Sequence, residues 1–128
     1  MAKIDGISKE EVIDKTEWIA IATNGPDGPH VVATWGDYVR AFGIKDDTLL
    51  IPVGHMHKTE ANLKGDNRVE LLCGTRQVQG TLGSGKGCGI VGKAEFQTAG
   101  PHFDAVKAKF RWARAALVVN VEEAKPQL

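Results

Sequence analysis

Short apolar runs separated by turn residues predict β-strands in the first half of the chain. Residues 17–23 are apolar and β-branched, and the glycine- and proline-rich segment 24–29 predicts a hairpin with a loop longer than two residues. A second strand is expected from residue 30 to about residue 42. A third spans 48–53, where Pro52 cannot donate a ladder hydrogen bond and so indicates a strand end or an irregular edge.

The second half of the chain carries more strand-like segments. Residues 68–74 and 77–81 predict two short strands, the second leading into a glycine-rich loop. The clearest alternation comes next, with one apolar face formed by Cys88, Ile90, Ala94 and Phe96. A final strand is expected over 115–121, before a polar tail.

Three helices are expected between these strands. A capping-box pattern opens a helix over 8–15, a second is expected over 58–64 with Gly65 as its left-handed cap, and a third covers about 101–110. Six or seven short strands in hairpin order with two or three short helices predict a mainly β protein, a Greek-key barrel. The absence of a linker or repeat predicts a single domain over residues 1–128.

The charge balance removes two classes of partner. Sixteen Lys and Arg residues balance sixteen Asp and Glu residues, so no net charge draws the molecule toward nucleic acid or an acidic membrane surface. No stretch approaches the ~20 apolar residues that a membrane helix needs, and the N-terminus lacks the apolar core of a signal peptide. We therefore expect a cytoplasmic protein that binds neither nucleic acid nor membrane.

Three motifs that could suggest chemistry fail on their spacing. Cys73 and Cys88 lack C-x-x-C spacing, which favours reduced, structural thiols. His55 and His57 have no third ligand nearby in the sequence, so no metal site is expected. The loop 80–87 matches a nucleotide-binding P-loop except at its last position, where glycine replaces the Ser or Thr that holds magnesium, and it is interpreted as a glycine-rich strand connection.

The segment 54–62 is the best candidate for a binding site. The first turn of a helix leaves backbone N–H groups without partners and carries the positive end of the helix dipole. Lys58 is unfavourable there unless an anion offsets its charge, and Thr59 adds a hydroxyl donor. The pattern therefore indicates a phosphate site, the alternative being a solvated lysine at the start of a surface helix.

Three tryptophans are many for a chain of 128 residues. Large aromatic side chains usually lie in the core, which is the expectation for Trp18 and Trp112. Trp35 is the exception, because the polar and glycine-containing segment 34–38 interrupts an apolar strand, as a wall facing a flat polar ring would.

Five segments, residues 27–30, 34–35, 51–54, 56–62 and 110–117, follow one another over nearly the whole chain in a familiar order. They closely resemble the small FMN-binding proteins of sulfate-reducing bacteria, which belong to the flavin-binding split-barrel superfamily typified by pyridoxamine 5′-phosphate oxidase. The R-Q-V at 76–78 is similar to a signature of the oxidases. The resemblance implies a six-stranded antiparallel Greek-key split barrel with two or three short helices, and a homodimer that holds FMN non-covalently at the subunit interface.

The resemblance also implies roles for the positions that match its motifs. Lys58 and Thr59 would hold the FMN phosphate, Gln77 would reach the cofactor, and Trp112 with Leu128 of the partner subunit would pack near the ring. The ribityl chain and the isoalloxazine would be lined by Val32, Ala33, Thr34, Trp35, Pro52, Val53 and Gly54. Ala33 departs from the pattern, which has asparagine there, so one polar contact to the cofactor is missing.

The expected function is that of a small FMN flavoprotein that transfers electrons or carries flavin, with a redox protein as its partner. No side chain of the expected site is an evident general acid or base, so no catalytic residue is assigned. The oxidase itself uses arginines, a tyrosine and a histidine that have no equivalent set here. Two alternatives stay open: a flavin reductase or NAD(P)H-dependent oxidoreductase of the same superfamily, and a non-flavin module that binds haem or a deazaflavin in the same barrel.

Overall fold

One antiparallel sheet of six strands forms the body of the protein. The computed structural model describes residue 4 and residues 12–128. The elements are β1 (Trp18–Gly25), β2 (Gly28–Trp35), α1 (Gly36–Arg40), β3 (Thr48–Val53), α2 (His57–Gly65), β4 (Arg68–Gln79), β5 (Ser84–Gln97), α3 (Pro101–Lys109) and β6 (Ala115–Gln127). The strand order is β2-β1-β4-β5-β6-β3, and the sheet curls into a half-barrel, which confirms the predicted mainly β split barrel.

The concave face of the sheet carries one aliphatic core. Period-2 alternation points every second side chain of a strand to the same face. Ile19, Ile21, Leu71 and Ile90 are accordingly at most 3% exposed. The predicted apolar face of β5 is confirmed, since Cys88 and Ala94 belong to the same core.

The first residues of β6 are buried on both faces. Leu117 lies in the main core, whereas Ala116 and Val118 point to the opposite side and pack beneath α3 against Val106. Phe103 and other partly buried aromatics complete this second cluster. The placement of α3 confirms the helix predicted there and explains why the start of β6 reads as a continuous apolar run.

The β1–β2 hairpin is tighter than predicted. The strands pair as far as Gly25 and Gly28, so the loop is the two-residue Pro26–Asp27 turn and the longer loop expected from the sequence is wrong. A Pro-Asp-Gly sequence supplies a proline φ for the turn and a glycine that tolerates positive φ, here +105° at Gly28. The short turn brings Asp27 close to α2.

The second strand ends earlier than predicted. It stops at Trp35, and α1 replaces the strand expected to continue to about residue 42. The cause is a tertiary contact: the Gly36 N–H donates to the Glu17 carbonyl at 2.8 Å, and a Cβ at Gly36 would lie 2.1 Å from the Thr16 carbonyl oxygen. Arg40 holds the helix there by donating to that same Thr16 carbonyl at 2.7 Å.

Strands β4 and β6 are both longer than predicted. The two short strands expected over 68–74 and 77–81 are one strand, with an irregular register between Thr75 and Gln79. The expected polar tail continues β6, because its backbone pairs with β5 as far as Gln127. The ends of β4, β5 and β6, residues 75–79, 84–88 and 124–127, form a three-stranded extension that we call the arm.

The remaining helix predictions have mixed outcomes. Helix α2 begins one residue earlier than predicted and includes Gly65, which does not have a positive φ, so the left-handed cap expected at Gly65 is wrong. The helix predicted over 8–15 lies largely outside the described residues. At its end, the N–H groups of Lys15 and Thr16 donate to the Val12 carbonyl in a helical turn. Within the described part of the chain, no helix is long and apolar enough to cross a membrane.

Candidate functional site

The chain turns from sheet to helix at residues 54–56, which we call the β3–α2 turn. Strand β3 is an edge strand: β6 is its neighbour in the sheet, and Pro52 is its penultimate residue, as the edge prediction required. Met56, the residue before α2, is left-handed with φ 57° and ψ 37°, and no side chain caps the helix. The first turn of α2 therefore presents backbone N–H groups without a side-chain acceptor, at the positive end of the helix dipole.

Thr59 lies in this first turn and is completely buried. Its exposed fraction is 0%, and its hydroxyl has no hydrogen-bond partner among residue 4 and residues 12–128. A buried hydroxyl without a partner costs about 1–3 kcal/mol, so it is rarely retained without a reason. A ligand oxygen at the helix N-terminus would supply that partner.

Lys58 adds positive charge beside Thr59. Its Nζ lies 3.7 Å from the Asp27 carboxylate in the β1–β2 turn, and both side chains are largely solvated. A pair this exposed contributes little stability. Lys58 is therefore free to exchange Asp27 for a stronger anion.

A buried hydrogen bond fixes α2 against the β1–β2 hairpin. The Asn62 Nδ2 donates to the Thr23 hydroxyl at 3.1 Å, and both side chains are buried. Gly25 makes room for this contact, since a Cβ there would lie 2.2 Å from the Asn62 Oδ1. The first turn of α2 and the hairpin turn that carries Asp27 are thereby held in a fixed relation.

Arg114 links the β3–α2 turn to β6. Its backbone N–H donates to the Val53 carbonyl at 2.8 Å. Its guanidinium donates twice to the His55 carbonyl, at 3.1 Å from Nε and 2.6 Å from Nη2, and once to Glu60 at 3.0 Å from Nη1. Sequence reasoning did not select Arg114. Its position between small apolar residues at the start of a buried strand is a signal, because an arginine is seldom placed there unless it is paired.

Trp112 covers the opposite side of the turn. Its ring lies on Gly54, where an added Cβ would be 3.4 Å from two ring carbons. Tyr38 and Phe110 pack against the same ring, with centroids 5.5 and 5.6 Å away. Trp112 is nevertheless 50% exposed and Trp18 is 53% exposed, so the core placement predicted for these two tryptophans is wrong.

The predicted wall of residues 32–35 is divided between the two faces of β2. Thr34 is buried and Val32 packs on the main core, whereas Ala33 and Trp35 point outward, with Trp35 paired opposite Trp18. Helix α2 packs against both β1 and β2. The strand therefore lies beside the candidate site, but consecutive side chains cannot all face it.

Gln77 and Leu128 lie on and at the end of the arm. Gln77 is exposed in the irregular stretch of β4, where its N–H donates to the Thr75 hydroxyl at 3.2 Å. Leu128 is 76% exposed, and its carbonyl accepts from the Thr81 N–H at 2.8 Å. These two predicted site residues thus lie on the arm, whereas Lys58 and Thr59 lie on α2, just after the β3–α2 turn whose Gly54 contacts Trp112.

The cysteines and histidines form no further site. Cys73 and Cys88 are reduced thiols that are buried and directly opposite each other on β4 and β5. Burial, and then the neighbouring Cys88, raise the pKa of the Cys73 thiol to about 12, which leaves it protonated and a poor nucleophile. His55 and His57 are exposed with ring centroids 6.5 Å apart, and the described residues include no cluster of three or more metal-ligating side chains.

Comparisons with known proteins agree in sequence and in fold. The family profile described as pyridoxamine 5′-phosphate oxidase matches residues 9–127. A protein described as an FMN-binding protein, from Nitratidesulfovibrio vulgaris, is 48% identical over 118 residues, which are 92% of this chain and 94% of that protein. The sequence similarity therefore extends over nearly the whole of both chains.

Two solved structures share the fold at low identity. A HupZ variant from Group A Streptococcus superposes with a TM-score of 0.77 at 22% identity, covering 97% of this chain and 99% of that one. An FMN-binding protein from Syntrophomonas wolfei superposes with a TM-score of 0.63 at 17% identity, covering 86% of this chain and 76% of that one. At these identities the likeness concerns the fold alone.

Proposed function

Because the chain belongs to the pyridoxamine 5′-phosphate oxidase family, we propose that it is a non-covalent FMN-binding protein whose α2 N-terminus holds the FMN phosphate. The observation that carries the proposal is the buried Thr59 hydroxyl without a partner, in the first turn of an uncapped helix and beside Lys58. The relative at 48% identity, described as an FMN-binding protein, supports the choice of cofactor.

The residues present fit a phosphate monoester. The first turn of α2 holds three kinds of donor: backbone N–H groups, the buried Thr59 hydroxyl and the Lys58 ammonium. Hydrogen bonds to a charged phosphate are roughly twice as strong as neutral ones. A phosphate would therefore satisfy Thr59, complement the helix dipole and replace Asp27 as the partner of Lys58.

The flavin ring would lie beside the β3–α2 turn. Trp112 offers an aromatic surface, and Gly54 lets that surface approach the backbone. The other residues assigned to the ribityl chain and the ring on the strength of the resemblance are Val32, Ala33, Thr34, Trp35, Pro52, Val53 and Gln77. Part of the contact with the cofactor would come from backbone groups, since the side chains of β2 alternate between two faces.

A homodimer is part of the proposal. The outward face of β1, β2 and β4 carries exposed apolar side chains, with Trp18 opposite Trp35, Ala22 opposite Val31, and Leu72 beside them, and the charged Glu70 follows on β4. Contiguous apolar patches of this kind mark interaction sites in water-soluble proteins. A second copy packed on this face would bury Trp18 and Trp35. The resemblance places Leu128 of the partner subunit near the ring in such a dimer.

The dimer has its own test. Val31→Glu places a charge in the apolar patch, and sedimentation equilibrium should show a shift toward monomer because a buried unpaired carboxylate is costly. Ala105→Glu, on the exposed surface of α3, is the matched control and should leave the mass unchanged. A monomeric wild-type protein at micromolar concentration would contradict the dimer.

An electron-transfer or flavin-carrier role fits the site better than dedicated catalysis. Bound FMN supplies one- and two-electron redox chemistry. Around the β3–α2 turn, Lys58, Thr59 and Trp112 would bind or shield a ligand, and the nearby His55 and His57 are exposed to solvent. We therefore propose that electrons are exchanged with a redox protein at the exposed edge of the site.

A visible spectrum of the purified protein, followed by cofactor extraction, tests the function. A yellow protein that releases one FMN per chain is the expected result. A colourless protein, or a haem or deazaflavin spectrum, would contradict the cofactor. Rapid reduction by NAD(P)H with turnover and without a protein partner would contradict the electron-transfer role and identify a flavin reductase.

A further inference from the structure

The β3–α2 turn needs a support that its own sequence does not provide. Met56 adopts a left-handed conformation, which is unfavourable for a residue with a side chain. No side chain caps α2 after this turn. The contact that holds the turn from outside is the double donation of the Arg114 guanidinium to the His55 carbonyl, one residue before Met56.

Glu60 would oppose a phosphate if it stood alone. It is acidic, lies in the first turn of α2 and follows Thr59 directly. A carboxylate at that distance repels a dianion, and partial burial strengthens the repulsion. Arg114 offsets this charge through the 3.0 Å contact from Nη1 to the Glu60 carboxylate, in a pair whose side chains are only 30% and 24% exposed.

Arg114 is itself firmly held. Its own N–H is bonded to the Val53 carbonyl, and its flanking residues Ala113 and Ala115 are fully buried. The guanidinium carbon also lies 5.7 Å from the centre of the Phe96 ring, within the range of a cation–π contact. The group that supports the turn is thus fixed on the sheet.

We propose that Arg114 is a positioning residue for the phosphate site, and this rests on the function proposed above. It fixes the carbonyl before Met56 and neutralises Glu60, while its three guanidinium contacts leave the ligand to Lys58, Thr59 and the helix amides. The planar fork of arginine is required, because a lysine offers a single point charge that cannot serve both acceptors in the same geometry.

Titrations of flavin-free variants with FMN and with riboflavin test the proposal. Arg114→Gln should weaken FMN about tenfold, equal to about 1.4 kcal/mol, and change riboflavin less than about twofold, because riboflavin lacks the phosphate. Arg114→Lys should recover part of the loss. Adding Glu60→Gln to Arg114→Gln should recover about threefold, since the unpaired carboxylate is removed. Equal weakening of FMN and riboflavin, or no change in either, would overturn the proposal.

Hydrogen exchange of the flavin-free protein gives a readout that does not depend on the cofactor. Arg114→Gln should speed exchange at residues 55–60, and Arg68→Gln, which removes an exposed arginine paired with Glu70 at 3.5 Å, should not. Unchanged exchange at residues 55–60 would overturn the positioning role even if FMN binds. Failure of the wild-type protein to bind FMN, with faster exchange in the variant, would reject the proposed function and support the structural role.

Discussion

Helices α2 and α3 are both nine residues long and both begin without a side-chain cap, yet only α2 begins at a candidate site. The first turn of α3 is exposed to water, has Pro101 where a free N–H would otherwise stand, and carries Asp104, whose charge suits the helix dipole. The first turn of α2 has no proline and buries the hydroxyl of Thr59. It carries Lys58, and its acidic residue, Glu60, is paired with Arg114.

The comparison shows that an uncapped N-terminus is not a binding site in itself. At α3, water and local chemistry satisfy the free groups, so the helix needs no ligand. At α2, burial excludes water from Thr59. Lys58 adds positive charge there, and Arg114 offsets the charge of Glu60, the acidic residue of the same turn. The unsatisfied groups of α2 are what an anion would complete.

Thr59→Val should have the largest effect on FMN binding, because it removes the buried hydroxyl that distinguishes α2 from α3. Valine has the shape of threonine without its hydroxyl, so FMN should bind about 30-fold or more weakly when a buried charge-assisted hydrogen bond is lost. The flavin-free variant should be more stable than the wild type by about 1 kcal/mol, because the unpaired hydroxyl is gone. Fluorescence titration with FMN and urea unfolding of the flavin-free protein measure the two effects.

The pattern of opposite signs is the critical part of this prediction. Lower stability of the flavin-free variant would mean that Thr59 already has a partner within the protein. An unchanged FMN affinity would remove Thr59 from the phosphate site. His102→Ala, near the start of α3, is the control and should leave FMN binding as it is.

Lys58→Ala should have the next largest effect. Its half-exposed ammonium contributes less than a buried donor, so a loss of about tenfold for FMN is expected, with riboflavin nearly unaffected. The loss should shrink as salt is added, because solvent-exposed charges are screened. Lys64→Ala, in the last turn of the same helix, removes the same charge and should have little effect on FMN affinity. Equal weakening of FMN and riboflavin would contradict a phosphate contact.

How far the sequence predicts this site depends on the range of the interactions. The cationic first turn of α2 is local, and Lys58 and Thr59 could be selected from it. The buried, unpartnered state of Thr59 and the contacts of Arg114 depend on strands far along the chain, so no local pattern carries them.

The fold shows the same division between local and distant causes. An apolar run predicted β3, and alternation predicted the core face of β5. Helix α1 exists because Gly36 packs on the backbone near Thr16. The polar end of β6 becomes a strand because β5 provides a partner. Trp18 is exposed, although tryptophan usually lies in the core. The proposed dimer would bury it.

Asp27→Asn should have the smallest effect on FMN binding. The Asp27 carboxylate competes for Lys58 and adds negative charge near the phosphate, so its removal should tighten FMN about two- to threefold, the size expected for an exposed pair. Asp104→Asn makes the same charge change in the first turn of α3 and should leave FMN affinity unchanged while slightly destabilising that helix. Fluorescence titrations of both variants at low and high salt measure the effect. If Asp104→Asn increased the FMN affinity as much as Asp27→Asn does, the gain would come from net charge. The assignment of the phosphate site to the start of α2 would then be contradicted.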